Sequence, residues 1–273
     1  MGLALGLGLS FSACSPAHLI DRAIGRSVDS AANRVGQRMG DAIAGHLLSN
    51  LTPELMRAYS MGLFQMLFYH GGYNFQFAQY QPGEFTRWDA KGVEQGEWFE
   101  KALLVRNADG SEWWRVESRA KDDNGKQVEL VIEALFAPAG EDGSRRVRRM
   151  RAKYPDEREA KEVPITEKDA NAWVLHTQHS LTPESIEGLK VATVNLETPA
   201  GTFKTDHLQS GNAGHGALNW WIVEREVPGR VVKYSQESVD LDADGNPKSR
   251  ETVYQVTLLK HGNDATASKL GAF

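Results

Sequence analysis

Residues 96–119 read GEWFEKALLVRNADGSEWWRVESR, and residues 201–225 read GTFKTDHLQSGNAGHGALNWWIVER. Each stretch opens on Gly with an aromatic two positions later, and each carries an Asn-Ala turn. Each then runs through Trp-Trp-x-Val-Glu: Trp113-Trp114-Arg115-Val116-Glu117 and Trp220-Trp221-Ile222-Val223-Glu224. Short runs rich in Val, Trp, Phe, Tyr and Thr, separated by turn dipeptides, are strand signals. The turns fall at Asp109-Gly110, Asn124-Gly125, Asp142-Gly143 and Asp244-Gly245. Such two-residue turns join antiparallel neighbours only. From about residue 73 the chain is therefore expected to be a largely antiparallel β body. The recurring motif predicts two similar β-modules, 73–160 and 161–262, with a flexible tail at 263–273.

Successive side chains of a strand point to opposite faces. One tryptophan of each pair is expected in the core, and the other beneath a helix or along a cavity. Trp113, Trp114, Trp220 and Trp221 are thus candidate pocket aromatics, together with Phe64 and Phe68 from the helix upstream. That helix is announced by Thr52-Pro53-Glu54: a cap, a proline in the first turn, and an acid beside the positive helix end. It runs through Leu55, Met56, Tyr59, Leu63, Met66 and Leu67 toward Gly71-Gly72, apolar on most sides, which predicts burial.

Further upstream, residues 17–49 contain no proline. Ile20, Ile24, Val28, Val35, Met39, Ile43 and Leu47 recur at threes and fours, a helical period. Beside that stripe Ala32, Gly36, Gly40 and Ala44 lie four apart and form a candidate helix-packing surface. Arg26, Arg34, Arg38 and Asp41 argue against a membrane span. The fold class that results is α+β, with residues 14–72 as a helical stalk ahead of the β body.

Residues 1–13, MGLALGLGLSFSA, are uncharged and apolar. They are too short for a spanning helix, which needs about 20 residues, and they fit the apolar core of a signal peptide. Their end, Phe11-Ser12-Ala13-Cys14, resembles the bacterial lipobox. The resemblance implies cleavage before Cys14 and a diacylglycerol on its thiol. Ser15 after the cysteine resembles an outer-membrane destination. The expected location is the cell envelope, at the outer membrane and facing the periplasm. Cys14 is the single cysteine, so no intrachain disulfide can form.

A second resemblance lies in the other half. Ala200-Gly201-Thr202-Phe203, followed by a tryptophan strand and Val227-Pro228-Gly229, looks like a class of β-rich bacterial envelope proteins over about 60 residues. The pattern is also similar to the open, curved sheet of periplasmic lipoprotein carriers, a likeness of fold that does not fix function.

Net charge is −5 and the isoelectric point is near 5.9, which argues against a nucleic-acid partner. Asp240-x-Asp242-x-Asp244-Gly245 with Glu251 matches a calcium-loop pattern, and calcium is the one cofactor the sequence suggests. Its flanks read as strands, however, not as the helices such a loop joins. His176, His179, His207 and His215 lack the spacing of a zinc site. Asp206, His207 and Ser210 lack a nucleophile elbow. No phosphate-binding loop or dinucleotide fingerprint is present, so an enzyme is not expected. In the basic run 145–153, alternation puts Arg145, Val147, Arg149, Arg151 and Lys153 on one face. That makes Arg145, Arg149, Arg151 and Lys153 a candidate surface for an anionic partner or for lipid headgroups. The sequence therefore points to a lipid-anchored envelope protein with a non-catalytic binding or scaffolding role. The alternative is a carrier of an apolar ligand between the sheet and the helix at 52–70.

Overall fold

The computed structural model describes residues 53–69 and 80–273, apart from 92–95, 122–124, 142, 156, 169–173, 176–182, 213–215, 243 and 245–246. Hairpin chemistry dominates it. Gly110, Gly125 and Gly143 have positive φ at the turns that follow β2 (Gly96–Arg106), β3 (Glu112–Lys121) and β4 (Gln127–Phe136). The backbone of Gly110 donates to Asn107 O at 2.9 Å, and Gly143 to Gly140 O at 2.9 Å. These turns fold β1 (Phe85–Lys91) through β5 (Arg145–Lys153) and the short β6 (Lys161–Val163) into one antiparallel meander. A two-residue strand, β7 (Val174–Leu175), pairs with Arg145 and Arg146 of β5. The expected helix is α1 (Pro53–Tyr69), and a short α2 (Pro183–Leu189) leads into the second meander.

That second meander comprises β8 (Lys190–Thr198), β9 (Gly201–Asn212), β10 (Gly216–Ile222), β11 (Val231–Leu241) and β12 (Pro247–Gly262). The two meanders join edge to edge, β1 against β12, in the order β6-β5-β4-β3-β2-β1-β12-β11-β10-β9-β8. The register at the seam runs from Phe85 opposite Gly262 to Lys91 opposite Gln255, with a bulge after Arg87. The protein is thus mostly antiparallel sheet with few helices.

One face of the sheet, here the inner face, carries α1. Met61, Phe64, Leu67 and Phe68 of the helix join Trp114, Ile132, Phe136 and Met150 from the first meander. The same contiguous core continues through Trp88 to Trp220, Val232, Tyr234, Val256 and Leu258 of the second. Fully burying side chains of this size contributes roughly 1.5–3 kcal/mol each. On the other, outer face a smaller apolar patch forms from Phe85, Ala102, Leu104 and Trp113.

The two Trp-Trp motifs are placed unlike one another. From β3 to β10 the order β3-β2-β1-β12-β11-β10 makes five antiparallel steps, so the two strands run in opposite directions. In β3 the second tryptophan, Trp114, faces the inner core; in β10 it is the first, Trp220.

Residues 263–273, expected as a flexible tail, are instead a strap. They leave β12, turn where Ala265 N donates to Gly83 O at 2.9 Å, and cross the outer face of the first meander. Cys14 and the Ala32, Gly36, Gly40 and Ala44 surface lie outside the described residues.

Candidate functional site

The outer face of β1–β5 carries a row of charge. Register sets Arg87 opposite Glu100, Glu100 opposite Glu117, Arg115 opposite Glu133, and Glu133 opposite Arg151. Directly opposed residues of an antiparallel pair share a face and lie close together. Arg87 reaches Glu100 at 2.8 Å, Arg115 reaches Glu100 at 3.0 Å, and Arg151 reaches Glu133 at 2.8 Å. The side chains are buried: Glu133 is 0% exposed, Glu117 1%, and Arg151 and Glu100 4% each.

The strap buries this row and bonds to it. Lys269 Nζ contacts Glu117 at 2.6 Å, its backbone N–H donates to Glu133 at 2.9 Å, and Ser268 Oγ donates to Glu133 at 2.7 Å. In return Arg115 donates to Ala267 O at 3.3 Å, and Arg151 to Gly271 O at 3.1 Å and Ala272 O at 2.7 Å. Phe273 packs on Trp113, ring centroids 5.6 Å apart. Burial pushes the Glu117 carboxyl up, and the Lys269 ammonium pulls it back.

Sequence reading missed this arrangement, because alternating Glu and Arg in a strand ordinarily mark a solvated face. The one available signal was that Glu100, Arg115, Glu117 and Glu133 all fall in phase on successive hairpin strands.

The anionic-partner surface is corrected. β5 is an interior strand between β4 and β6, and its pairing skips Arg148, where Leu135 meets Arg149 and Phe136 meets Val147. A bulge of this kind reverses the alternation beyond it. Arg145 therefore separates from the others: it pairs with Glu112 at 3.2 Å and donates to Gly110 O at 2.8 Å. Arg149 pairs with Glu162, and Arg151 lies under the strap. Lys153 is half-buried. Arg145, Arg149 and Arg151 are each paired with a carboxylate, and they do not form one free basic face.

The candidate pocket aromatics scatter in the same way. Phe64, Phe68 and Trp114 pack on each other and on Phe136 and Tyr80, with ring centroids 4.9–5.7 Å apart. Glu112 fixes the Trp114 indole by accepting from Nε1 at 2.9 Å. These three rings are core. Trp220 packs against Tyr234 at 5.7 Å, 0% exposed, and its Nε1 has no hydrogen-bond acceptor among the described residues. Trp113 lies on the outer face beneath Arg151, 4.8 Å from its ring centroid. Trp221 stacks on His207 at 4.5 Å, with Lys233 Nζ 4.5 Å from the same ring.

Asp240 accepts from Ser249 Oγ at 3.0 Å, and Asp242 accepts from Asp244 N at 2.9 Å. Glu251 stands on β12 opposite Ser238. The calcium pattern thus falls on the β11–β12 hairpin. Among the described residues no three His, Cys, Asp or Glu side chains form a metal-binding group. His207 bonds Asn219 at 2.9 Å, whereas Asp206, adjacent on the strand, faces the other way to Thr193 and Lys190. With Ser210 they assemble no triad.

At the far edge, β8 pairs only with β9 among the described residues. Its residues are exposed along most of its length, with Val191 56% and Val194 37% exposed. Apart from Phe273, these are the only exposed large hydrophobics among the described residues.

No family model and no curated protein matches the chain. Two solved structures, the first from Pseudomonas aeruginosa, are weakly similar. One is titled as the complex of MucA and MucB: identity is 10% and the TM-score 0.37, with 70% of this chain and 55% of that chain covered. The other, titled as MucB in complex with MucA(peri), gives 10% identity and a TM-score of 0.27, covering 70% and 54%. The chain spans about half the length of these structures. No helix among the described residues is long and apolar enough to cross a membrane.

Proposed function

We propose that the protein is a lipid-anchored, non-catalytic binding protein of the cell envelope that engages a protein partner by strand addition at β8. The observation that carries this is the β8 edge: among the described residues it pairs on one side only, in unbroken register from Ala192 to Thr198, and it carries two exposed valines. Native sheets ordinarily blunt such an edge with charge, proline, a bulge or a covering element; β8 has a bulge at its Val191 end and runs on past it without another. An extended partner segment would gain main-chain hydrogen bonds there, and Val191 and Val194 would give side-chain specificity. The lipobox-like Phe11-Ser12-Ala13-Cys14 supports the anchor.

The test is a photo-crosslinking amino acid at position 194, and in parallel at the exposed Lys161, in membrane-extracted full chain. A defined adduct at 194 that vanishes in a Val191→Pro variant of unchanged thermal stability supports the reading. Equal labelling at both positions sinks it. Intact mass of the same preparation reports cleavage before Cys14 and acylation.

A second reading, carriage of an apolar ligand, has the orphan indole N–H of Trp220 in its favour. Buried donors usually have acceptors, and a ligand oxygen would supply one. Native mass spectrometry of chain starting at Ser15 distinguishes the two: co-purified lipid favours the carrier, and bare protein the binding module.

A further inference from the structure

The strap is held to the sheet as a bound peptide is held. Its backbone carbonyls at Ala267, Gly271 and Ala272 accept from Arg115 and Arg151. Its N–H and hydroxyl at 269 and 268 serve Glu133, and its Lys269 ammonium serves Glu117. Apolar attachment is slight. Ala265 touches the outer patch and Phe273 meets Trp113, yet Phe273 is 46% exposed and the Lys269 side chain 43%. A segment so placed gains little from burial. Its attachment rests on charge-assisted hydrogen bonds rather than on apolar burial.

The groove beneath has the opposite character. Beneath the strap Glu117 and Glu133 are buried carboxylates, Glu133 paired with Arg151 and Glu117 3.6 Å from Arg115, and a buried charge left short of partners is strongly unfavourable. Whatever lies in the groove must bring a cation to Glu117, donors to Glu133, and carbonyls to Arg115 and Arg151. These requirements define a ligand class.

We propose that the outer face of β2–β5 is a recognition site for an extended, lysine-bearing peptide segment of a protein partner, and that residues 264–273 occupy it as a tethered competitor. The site is separate from the β8 edge, and its test is separate too. Strap release and partner binding exclude one another, so apparent affinity for an outside peptide is lowered by the fraction of molecules whose strap is closed.

The experiment uses the full chain and a fluorescent peptide with the sequence of residues 263–273, NDATASKLGAF, followed by anisotropy. The chain variant Ser268→Ala/Lys269→Ala, whose own strap is weakened, is expected to bind the peptide at least about tenfold more tightly than the parent chain. The peptide with Lys269→Glu is expected to lose that binding, as is the chain carrying Glu117→Gln in addition. A folded double variant that takes up no peptide at about 1 mM, or that binds the Lys269→Glu peptide equally well, overturns the proposal.

Should the double variant not fold, the chain carrying Lys269→Ala alone decides, because the parent's closed strap would itself exclude the peptide. A photoreactive group at the peptide's Phe273 position should crosslink to the β3 segment around Trp113, in competition with unlabelled peptide. No such adduct, or an adduct that excess unlabelled peptide does not reduce, refutes the site. A stable dimer of the parent chain, with the strap of one copy crosslinked to β3 of another, overturns the outside partner in favour of strap exchange between copies.

Discussion

Lys101 is the residue in which burial and charge conflict most sharply. It sits on the inner face of β2, 4% exposed, and its ammonium donates to Phe68 O at 3.1 Å. The rings of Phe68 and Tyr80 lie 5.5 Å from it. The contact falls at the carbonyl end of α1, whose last turn has no basic residue of its own, and a cation is favoured there. Burial nevertheless pushes the ammonium down to about 7. The unfolded chain keeps that proton to about pH 10.4. Between those values the unfolded state binds more protons, so this group makes stability rise with pH across that window. Lys101→Met removes the effect. The variant should gain on the parent most at about pH 6, and the gap should narrow toward about pH 10. Thermal midpoints across that range test it, and parallel curves for the two proteins would refute it. Little of this was legible in GEWFEKALLVR. Glu100 and Lys101 are adjacent, so alternation assigns them to opposite faces and one is expected in solvent. Both are buried, because the strap covers one face of β2 and α1 the other.

At the level of elements, local chemistry was readable and long-range pairing was not. The Asp-Gly and Asn-Gly turns announce the hairpins, and Thr52-Pro53-Glu54 announces α1, because each signal sits within a few residues of its effect. The bulge at Arg148 leaves no such mark, yet it separates Arg145 from Arg149 and Arg151 and dissolves the expected basic face. The strap is equally silent. Its small and polar residues read as a tail, and their hydrogen-bond partners on β3–β5 lie 117–152 residues away. Arg151 shows what that distance conceals, since it ties Glu133 of β4 to two strap carbonyls. Arg151→Met should cost about 3–5 kcal/mol in urea unfolding, as expected when one partner of a buried pair is removed. The loss should be nearly independent of salt, because buried charges are poorly screened. A loss below about 0.5 kcal/mol would mean that the row behaves as surface charge. Val194→Lys on the open β8 edge should by contrast stay within about 0.5 kcal/mol of the parent.

For the whole molecule the decisive contact is the seam. The recurring Trp-Trp-x-Val-Glu motif leads to an expectation of two β-modules divided at residue 160, whereas the first of the two meanders reaches past that point, with β6 (Lys161–Val163) and β7 (Val174–Leu175) paired to β5. Their sequences conceal that β1 pairs with the last strand, some 170 residues later in the register of Phe85–Lys91 with Gln255–Gly262. Trp88 stands at that seam, opposite Leu258 on one side and Phe99 on the other. It is 1% exposed, and its Nε1 donates to Thr86 at 3.1 Å. One core runs past it from α1 to Tyr254, so neither meander closes its own hydrophobic face. A shared core predicts a single cooperative unfolding transition, with the van't Hoff and calorimetric enthalpies equal. Trp88→Ala should then lower stability by about 3–5 kcal/mol. Hydrogen exchange should show that loss equally in β3 and β10, although both strands are remote from the substitution. If exchange rises in one meander alone, the halves unfold separately, and the seam is a contact between modules rather than the centre of one sheet.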